Sequence, residues 1–249
     1  MKIRIGLVGY GKAGVAVAEV LAADPRFQLC WIAKQTGTPA TQKIGTGELP
    51  VLALGDANLS DWLDTHPVDA MVDFSVPQSL ALYGEELRRR ELMLVSAISA
   101  YTPEQLGYAR SLGEHTRVLC SPNITLGINF LIMAARLLRQ IAPFADVEIL
   151  EQHFKAKSEV SGTAKKIAES LDLSAEKITS LRLGGIVGHH EVIFGFPYQT
   201  VRLTHDSIKR EAFGTGAAFA LAELALCDKG FYTFEDLLMK KVRAQLLAP

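Results

Sequence analysis

IRIGLVGYGKAG, residues 3–14, decides how this chain begins to fold. An apolar run, residues 3–8, ends in glycines at 9, 11 and 14, and Val15, Val17, Ala18, Val20 and Leu21 then recur at helical spacing as far as Asp24-Pro25. The order is strand, tight turn, helix. In that setting each glycine of the GxGxxG has its own use: Gly9 supports the turn, Gly11 lets the backbone approach a pyrophosphate, and Gly14 packs helix on strand. A tight turn in any α/β domain explains isolated glycines equally well; the strand before and the helix after favour a dinucleotide. Tyr10, Lys12 and Ala13 fall in the same turn. FQLCWIA, 27–33, reads as a second strand and closes a βαβ unit.

Strands and helices go on alternating beyond it. DAMVDFS (69–75), a helix through EELRRR, LMLVSAIS (92–99), a helix from Thr102-Pro103-Glu104 and TRVLCSPN (116–123) follow one another, which argues for a parallel sheet with helices on both faces. After Asn123 the rhythm changes. A helix near 127–142 leads to DVEILEQHF, then a helix opening at Ser161-Gly162-Thr163, then β-like runs at 178–188, 191–197 and 199–208. Successive strands joined by short turns predict a mixed, mostly antiparallel sheet. From Phe213 an Ala-rich helix and a short final helix close the chain. The fold class is α/β, an N-terminal Rossmann-type dinucleotide-binding domain with a second domain of α+β type.

Composition narrows the partners. The chain has 249 residues, 49% hydrophobic and 21% charged, with a formal net charge of −1. That is ordinary globular composition with room for one large or two modest domains, and it lacks the basic stripe that nucleic acid or an acidic membrane requires. A small-molecule ligand is the default. Cys30, Cys120 and Cys227 are odd in number, widely spaced and set in apolar sequence, so they read as core thiols in a reducing compartment and not as disulfides or metal ligands. No stretch reaches the roughly 18 uncharged apolar residues of a spanning helix, and the N-terminal run has neither an h-region nor a small-residue cleavage site, so the expectation is a cytoplasmic protein.

Two stretches carry chemistry. At the tip of the second strand, Ala33-Lys34-Gln35-Thr36 lacks the acid that holds ribose hydroxyls in NAD-preferring sites; Lys34 there favours a 2′-phosphate, hence NADPH over NADH, although an ordinary solvated lysine explains it equally well. The other stretch is EQHFKAKSEVSGTA, 151–164. His153 and Lys157, four apart, lie on one side of either a strand or a helix turn and so can face one pocket. A lysine ammonium is a proton donor, and amides with hydroxyls at a helix start bind carboxylate or phosphate. Adjacent His189 and His190 on a strand point to opposite faces, which suits a structural role better than a metal site. No metal is expected. Asp73, after an apolar strand, reads either as a carboxylate near the cofactor or as a turn former.

The chain resembles the dihydrodipicolinate reductase family over nearly its whole length. Its signature Glu-x-His-His-x-x-Lys-x-Asp-Ala-Pro-Ser-Gly-Thr-Ala is similar to Glu151, His153, Lys157 and Ser161 to Ala164, with one deletion before Ser161. The segments Pro122 to Asn129, Asp73-Phe74-Ser75, Gly184 to His190, and Thr204-His205 with Arg210, Phe213 and Gly216-Ala217 correspond in order to further family motifs. The resemblance implies an NAD(P)H-dependent reductase of a cyclic imine dicarboxylate in lysine and diaminopimelate biosynthesis. It implies that Lys157 protonates the substrate, that His153 is a second catalytic group, and that Ser161, Gly162 and Thr163 hold a carboxylate. Phe154 takes the place of the family's second histidine, a substrate contact. Gly9 to Gly14, Ala97, Ile98 and Ser99, and Ser121, Pro122, Asn123 and Ile124 would line the cofactor, with Arg210 and Phe213 near it. The implied organisation is 1–125 plus 213–249 for the dinucleotide and 126–212 for substrate and oligomerisation, with the second sheet as the core of a homotetramer. Two alternatives stay open: a divergent paralogue acting on another cyclic imine or enamine acid, and a non-catalytic NADP(H)-binding subunit.

Overall fold

Runs such as Ala70–Asp73 and Met93–Ser96 are buried along their whole length, as strands covered on both faces must be. The computed structural model describes residues 2–35, 41–55 and 58–246, so Thr36 lies outside the described residues. The chain divides into two units, Met1–Thr125 with Phe213–Pro249, and Leu126–Ala212.

In chain order the first unit contributes β1 (Ile3–Val8), α1 (Lys12–Ala23), β2 (Phe27–Lys34), β3 (Thr41–Ile44), β4 (Gly47–Ala53), α2 (Leu59–Thr65), β5 (Ala70–Asp73), α3 (Ser79–Arg90), β6 (Met93–Ser96), α4 (Pro103–Leu112) and β7 (Arg117–Cys120). The second unit holds α5 (Leu126–Ile141), β8 (Asp146–His153), α6 (Gly162–Ser170), β9 (Ile178–Arg182), β10 (His189–Phe196) and β11 (Gln199–Asp206). The chain then returns to the first unit with α7 (Glu211–Leu224), β12 (Gly230–Tyr232) and α8 (Phe234–Leu246).

The first sheet runs β12-β7-β6-β5-β1-β2-β4-β3. Every pair is parallel except β3 with β4, a hairpin that the sequence reading leaves out. The α2 helix and the three-residue strand β12 are also additions to that reading. GFY at 230–232 is too short to show a period of two, and only its pairing with β7 makes it a strand. Caps close the helices where polar side chains allow it: Thr102 and Gln105 form a capping box around Pro103 at the start of α4. Trp31, Tyr83, Met71 and Leu94 anchor this unit's core. Gly214 seats α7 on α1, since a Cβ there would lie 2.6 Å from Val20.

The second sheet runs β11-β10-β8-β9, antiparallel except for β8 with β9, and is therefore mixed. Its inward residues Val147, Ile149, Val192 and Phe194 pack with Leu131 and Ala135 of α5 and with Ala164 and Ile167 of α6. The opposite face carries exposed Thr179, Leu181, Thr200, Arg202 and Thr204 at every second position of the edge strands. The three cysteines are free and half-buried; Cys30 and Cys120 pack against the first unit's core, and burial pushes Cys120 up to about 12.

Candidate active site

Strand order reverses at β1: the chain passes from it to β2 on one side and later to β5 on the other. In open α/β sheets a ligand binds at that point, outside the carboxyl ends of the strands. Backbone pairing continues one residue past the strands, with Gly9 N–H donating to Ala33, Phe74 to Val8, Ala97 to Asp73 and Ser121 to Ser96 at 2.8–2.9 Å, which brings four loops level. Three of them, with Ala13 and Phe213, line a cavity of about 410 Å³ through Phe74 to Pro77, Ala97 to Ala100, Pro122 and Ile124. The glycines behave differently. Gly9 has φ +89°, and a Cβ there would lie 2.6 Å from the Phe74 and Ser75 backbone. A Cβ on Gly14 would meet the Gly9 carbonyl oxygen at 2.1 Å, whereas one on Gly11 meets nothing within 4 Å. Gly11 thus leaves a cradle open at the start of α1, as a bound pyrophosphate requires.

Asp73 explains why the Phe74 loop holds its shape. Its buried carboxylate accepts from the Ser75 amide at 2.8 Å, from the Ser75 hydroxyl at 2.5 Å and from the Tyr83 hydroxyl. Burial raises its pKa, and the hydroxyl and amide donors oppose that. Of the two readings for this residue, turn formation matches these bonds. Lys34 ends β2 with its Nζ 5.4 Å from the Tyr10 ring centroid. Ser121 donates to the Asn123 carbonyl at 2.7 Å, and Gly216 of α7 admits the Ile124 carbonyl where a Cβ would lie 1.9 Å from it. Arg210 is exposed and belongs to the second unit.

In the second unit, β8 ends with Glu151 and His153 on its buried face, two residues apart. His153 Nδ1 lies 2.5 Å from one Glu151 carboxylate oxygen. The other oxygen accepts from Arg182 at 2.7 Å, Ser180 at 2.6 Å and the Ser161 amide at 3.4 Å. Burial alone would raise Glu151, but these donors carry its pKa down to about 2. A carboxylate only accepts, so His153 carries its hydrogen on Nδ1 and leaves Nε2 for chemistry. Gly188 makes room for it, since a Cβ there would come 3.2 Å from Nε2.

Ser161 caps α6: its hydroxyl accepts from the Thr163 amide at 3.2 Å and lies 3.0 Å from His190 Nε2. A Cβ on Gly162 would meet nothing within 4 Å, so the helix start is open above that residue. His153 and His190 meet edge to face at 5.4 Å. His190 is 3% exposed, and its Nδ1 has no hydrogen-bond partner among the described residues. Lys157 stands apart from regular structure. β8 stops at His153, so strand or helix spacing does not set the lysine's place; a turn does, with Lys157 N–H bonded to the Phe154 carbonyl at 3.0 Å and its own carbonyl to Arg182 at 2.8 Å. Phe154 is 45% exposed in the same turn.

The sequence reading passes over Arg182, Ser180 and His190 as site residues. Opposite faces do hold for the two histidines, with His189 bonded to Asp206 at 2.7 Å, but the inward one joins the site. The signal was available in the run Gly184 to His190. Burial lowers His190 from its ordinary 6.5 to about 4, helped by His153 and His205. The folded chain therefore keeps it neutral while an unfolded chain takes a proton near pH 6.5. Its contribution is full above pH 6.5 and lost as pH falls toward 4, about 3 kcal/mol at 1.4 kcal/mol per unit. Amide protection in the second unit should fall across that window, and less so in His190→Asn; equal losses in both chains would refute the assignment.

A parallel sheet with a glycine turn at its switch point, and a second unit with a fixed histidine beside an open helix start, define a dinucleotide-dependent oxidoreductase. Residues 3–124 match the family description "Dihydrodipicolinate reductase, N-terminus" and residues 123–238 match "Dihydrodipicolinate reductase, C-terminus". The chain belongs to the dihydrodipicolinate reductase family. It is 28% identical to the 4-hydroxy-tetrahydrodipicolinate reductase of Caldanaerobacter subterraneus subsp. tengcongensis, covering 96% of this chain and 100% of that one. The enzyme of that name from Alkaliphilus oremlandii is 30% identical over 74% of this chain and 85% of its own length. Among solved structures, dipicolinate-bound dihydrodipicolinate reductase from Paenisporosarcina sp. TG-14 superposes with TM-score 0.79 at 24% identity, covering 94% of this chain and 98% of that one, a likeness of fold.

Proposed function

We propose that the chain reduces 4-hydroxy-tetrahydrodipicolinate to tetrahydrodipicolinate with NADPH, a step of lysine and diaminopimelate biosynthesis. One observation carries the reading: a histidine held in a single tautomer by Glu151 stands beside the capped, open start of α6, next to the turn that bears Lys157. Ser161, Gly162 and Thr163 hold a substrate carboxylate at that helix start, where backbone amides and the helix dipole favour an anion. Lys157 gives a proton to the imine, which is far more electrophilic once protonated, and His153 acts beside it through Nε2. Phe154 supplies an apolar contact where a histidine would offer a polar one. Bound over Gly9 to Gly14 and the loops at 97–99, 121–124 and Phe213, NADPH supplies the hydride. Consumption of NADPH with the product of dihydrodipicolinate synthase tests the reading, and NADPH binding without turnover on that or any other cyclic imine acid would overturn it.

Lys34 sets the cofactor preference in this reading, with its ammonium over the Tyr10 ring at the end of β2 where an acid would otherwise hold the ribose. Lys34→Ala should raise KM for NADPH about tenfold, the loss of one charged hydrogen bond, and leave KM for NADH unchanged. A wild-type preference for NADH would remove Lys34 from this role. The uncovered face of the second sheet is where copies of the chain meet in a cytoplasmic homotetramer. No helix among the described residues is long and apolar enough to cross a membrane.

A further inference from the structure

We propose that Glu151 and Arg182 are the positioning residues of this site, one buried carboxylate and one guanidinium fork that hold the histidine, the lysine turn and the helix start in a single arrangement. The proposal rests on the reading that His153 and Lys157 act in the reduction. Parallel pairing of β8 with β9 sets Glu151 opposite Ser180 and His153 opposite Arg182. Period-two alternation then turns all four side chains to the covered face. Glu151, fully buried, has both oxygens engaged: one on His153, the other on Arg182, Ser180 and the amide that opens α6.

Arg182 extends this hub to the lysine. Its Nε donates to the Lys157 carbonyl at 2.8 Å and its Nη2 to the Glu159 carbonyl at 2.8 Å, while Nη2 also reaches Glu151. Residues 154–160 have no strand or helix to place them, so two of their carbonyls take their position from this fork. Of the other bonds in the turn, Lys157 N–H to the Phe154 carbonyl closes it locally and Lys155 N–H to the Gly184 carbonyl ties it to the loop after β9; neither reaches Glu151. A cation alone would neutralise the carboxylate. Only a planar fork with fixed donor directions also serves two carbonyls, which is why lysine is not equivalent here.

Arg182→Lys keeps a positive charge beside Glu151 and so avoids stranding a buried anion, the change most apt to unfold the unit. In that variant we expect an unchanged circular dichroism spectrum and unchanged NADPH affinity, faster amide exchange across residues 154–160, and a fall in kcat of about tenfold to a hundredfold with KM little altered. In Glu151→Gln the imidazole ¹⁵N spectrum of His153 should move from the Nδ1–H tautomer of the wild type to a mixture, because a carboxamide can donate as well as accept. If the wild type turns over and Arg182→Lys matches its kcat, the positioning role is overturned while the proposed function stands. If the wild type reduces no cyclic imine, the function fails and the positioning claim is decided by exchange and ¹⁵N spectra: altered in the variants they support it, unaltered they overturn it.

Discussion

Lys157→Ala is expected to lower kcat by about 10²–10⁴-fold, the usual worth of the positioned general acid that Lys157 is proposed to be, and to leave NADPH affinity unchanged. The geometry makes this a clean experiment. Lys157 is held by its backbone, through its amide to Phe154 and its carbonyl to Arg182, and truncation at Cβ keeps both bonds. The turn therefore survives the substitution, and Glu151 keeps His153 in its tautomer. NADPH is proposed to lie on the first unit, whose glycine turn shares no residue with the segment around Lys157. Pyridine-2,6-dicarboxylate, a dicarboxylate proposed to bind at the start of α6, should bind as well as before, since Ser161, Gly162 and Thr163 are untouched. Steady-state rates alongside NADPH titration by fluorescence separate the chemical step from binding, and turnover at the wild-type rate would end the assignment of Lys157 as acid.

The second large effect belongs to Gly14→Ala. Helix propensity alone favours the change, since alanine gains about 1 kcal/mol over glycine within a helix. Contact decides against it: the new Cβ would sit 2.1 Å from the Gly9 carbonyl oxygen and 2.9 Å from its carbon. Those are backbone atoms of a turn already held by φ +89° at Gly9 and by its amide bond to Ala33, so nothing flexible can move aside. Overpacking of this kind costs about 1–3 kcal/mol, enough to outweigh the propensity gain and to displace the turn. NADPH affinity should fall at least about tenfold, and the melting of the first unit, followed by Trp31 and Trp62 fluorescence, should come at lower temperature. Gly11→Ala is the control: its Cβ meets no protein atom, so stability holds while the methyl occupies the space proposed for the pyrophosphate. Equal NADPH affinity in wild type and Gly14→Ala would refute the account of this turn.

These cases show what could be read before the structure. The order strand, GxGxxG, helix is local, because side-chain period and glycine spacing depend only on neighbours in the chain, and it carries the first unit's fold class. The change of rhythm after Asn123 carries the second sheet in the same way, down to its mixed character once β9 is seen to run parallel to β8. The hairpin of β3 and β4 escaped because Thr41–Ile44 is short and polar at three consecutive positions, with no period of two, and β12 because three residues show no period. The even spacing of His153 and Lys157 was a misleading guide, since the strand stops between them.

By itself the sequence determined which side chains are available: the glycines of the turn, the histidine and lysine of 151–164, and the Ser-Gly-Thr that starts a helix. Tertiary structure alone decided which distant groups govern them. Arg182 lies 25 residues from Lys157 and His190 lies 29 from Ser161, and no local pattern encodes that these pairs touch. A buried carboxylate must be matched by donors wherever the fold can bring them. The parallel pairing of β8 with β9 brings Arg182 and Ser180 to Glu151, and through Arg182 to the turn that carries Lys157.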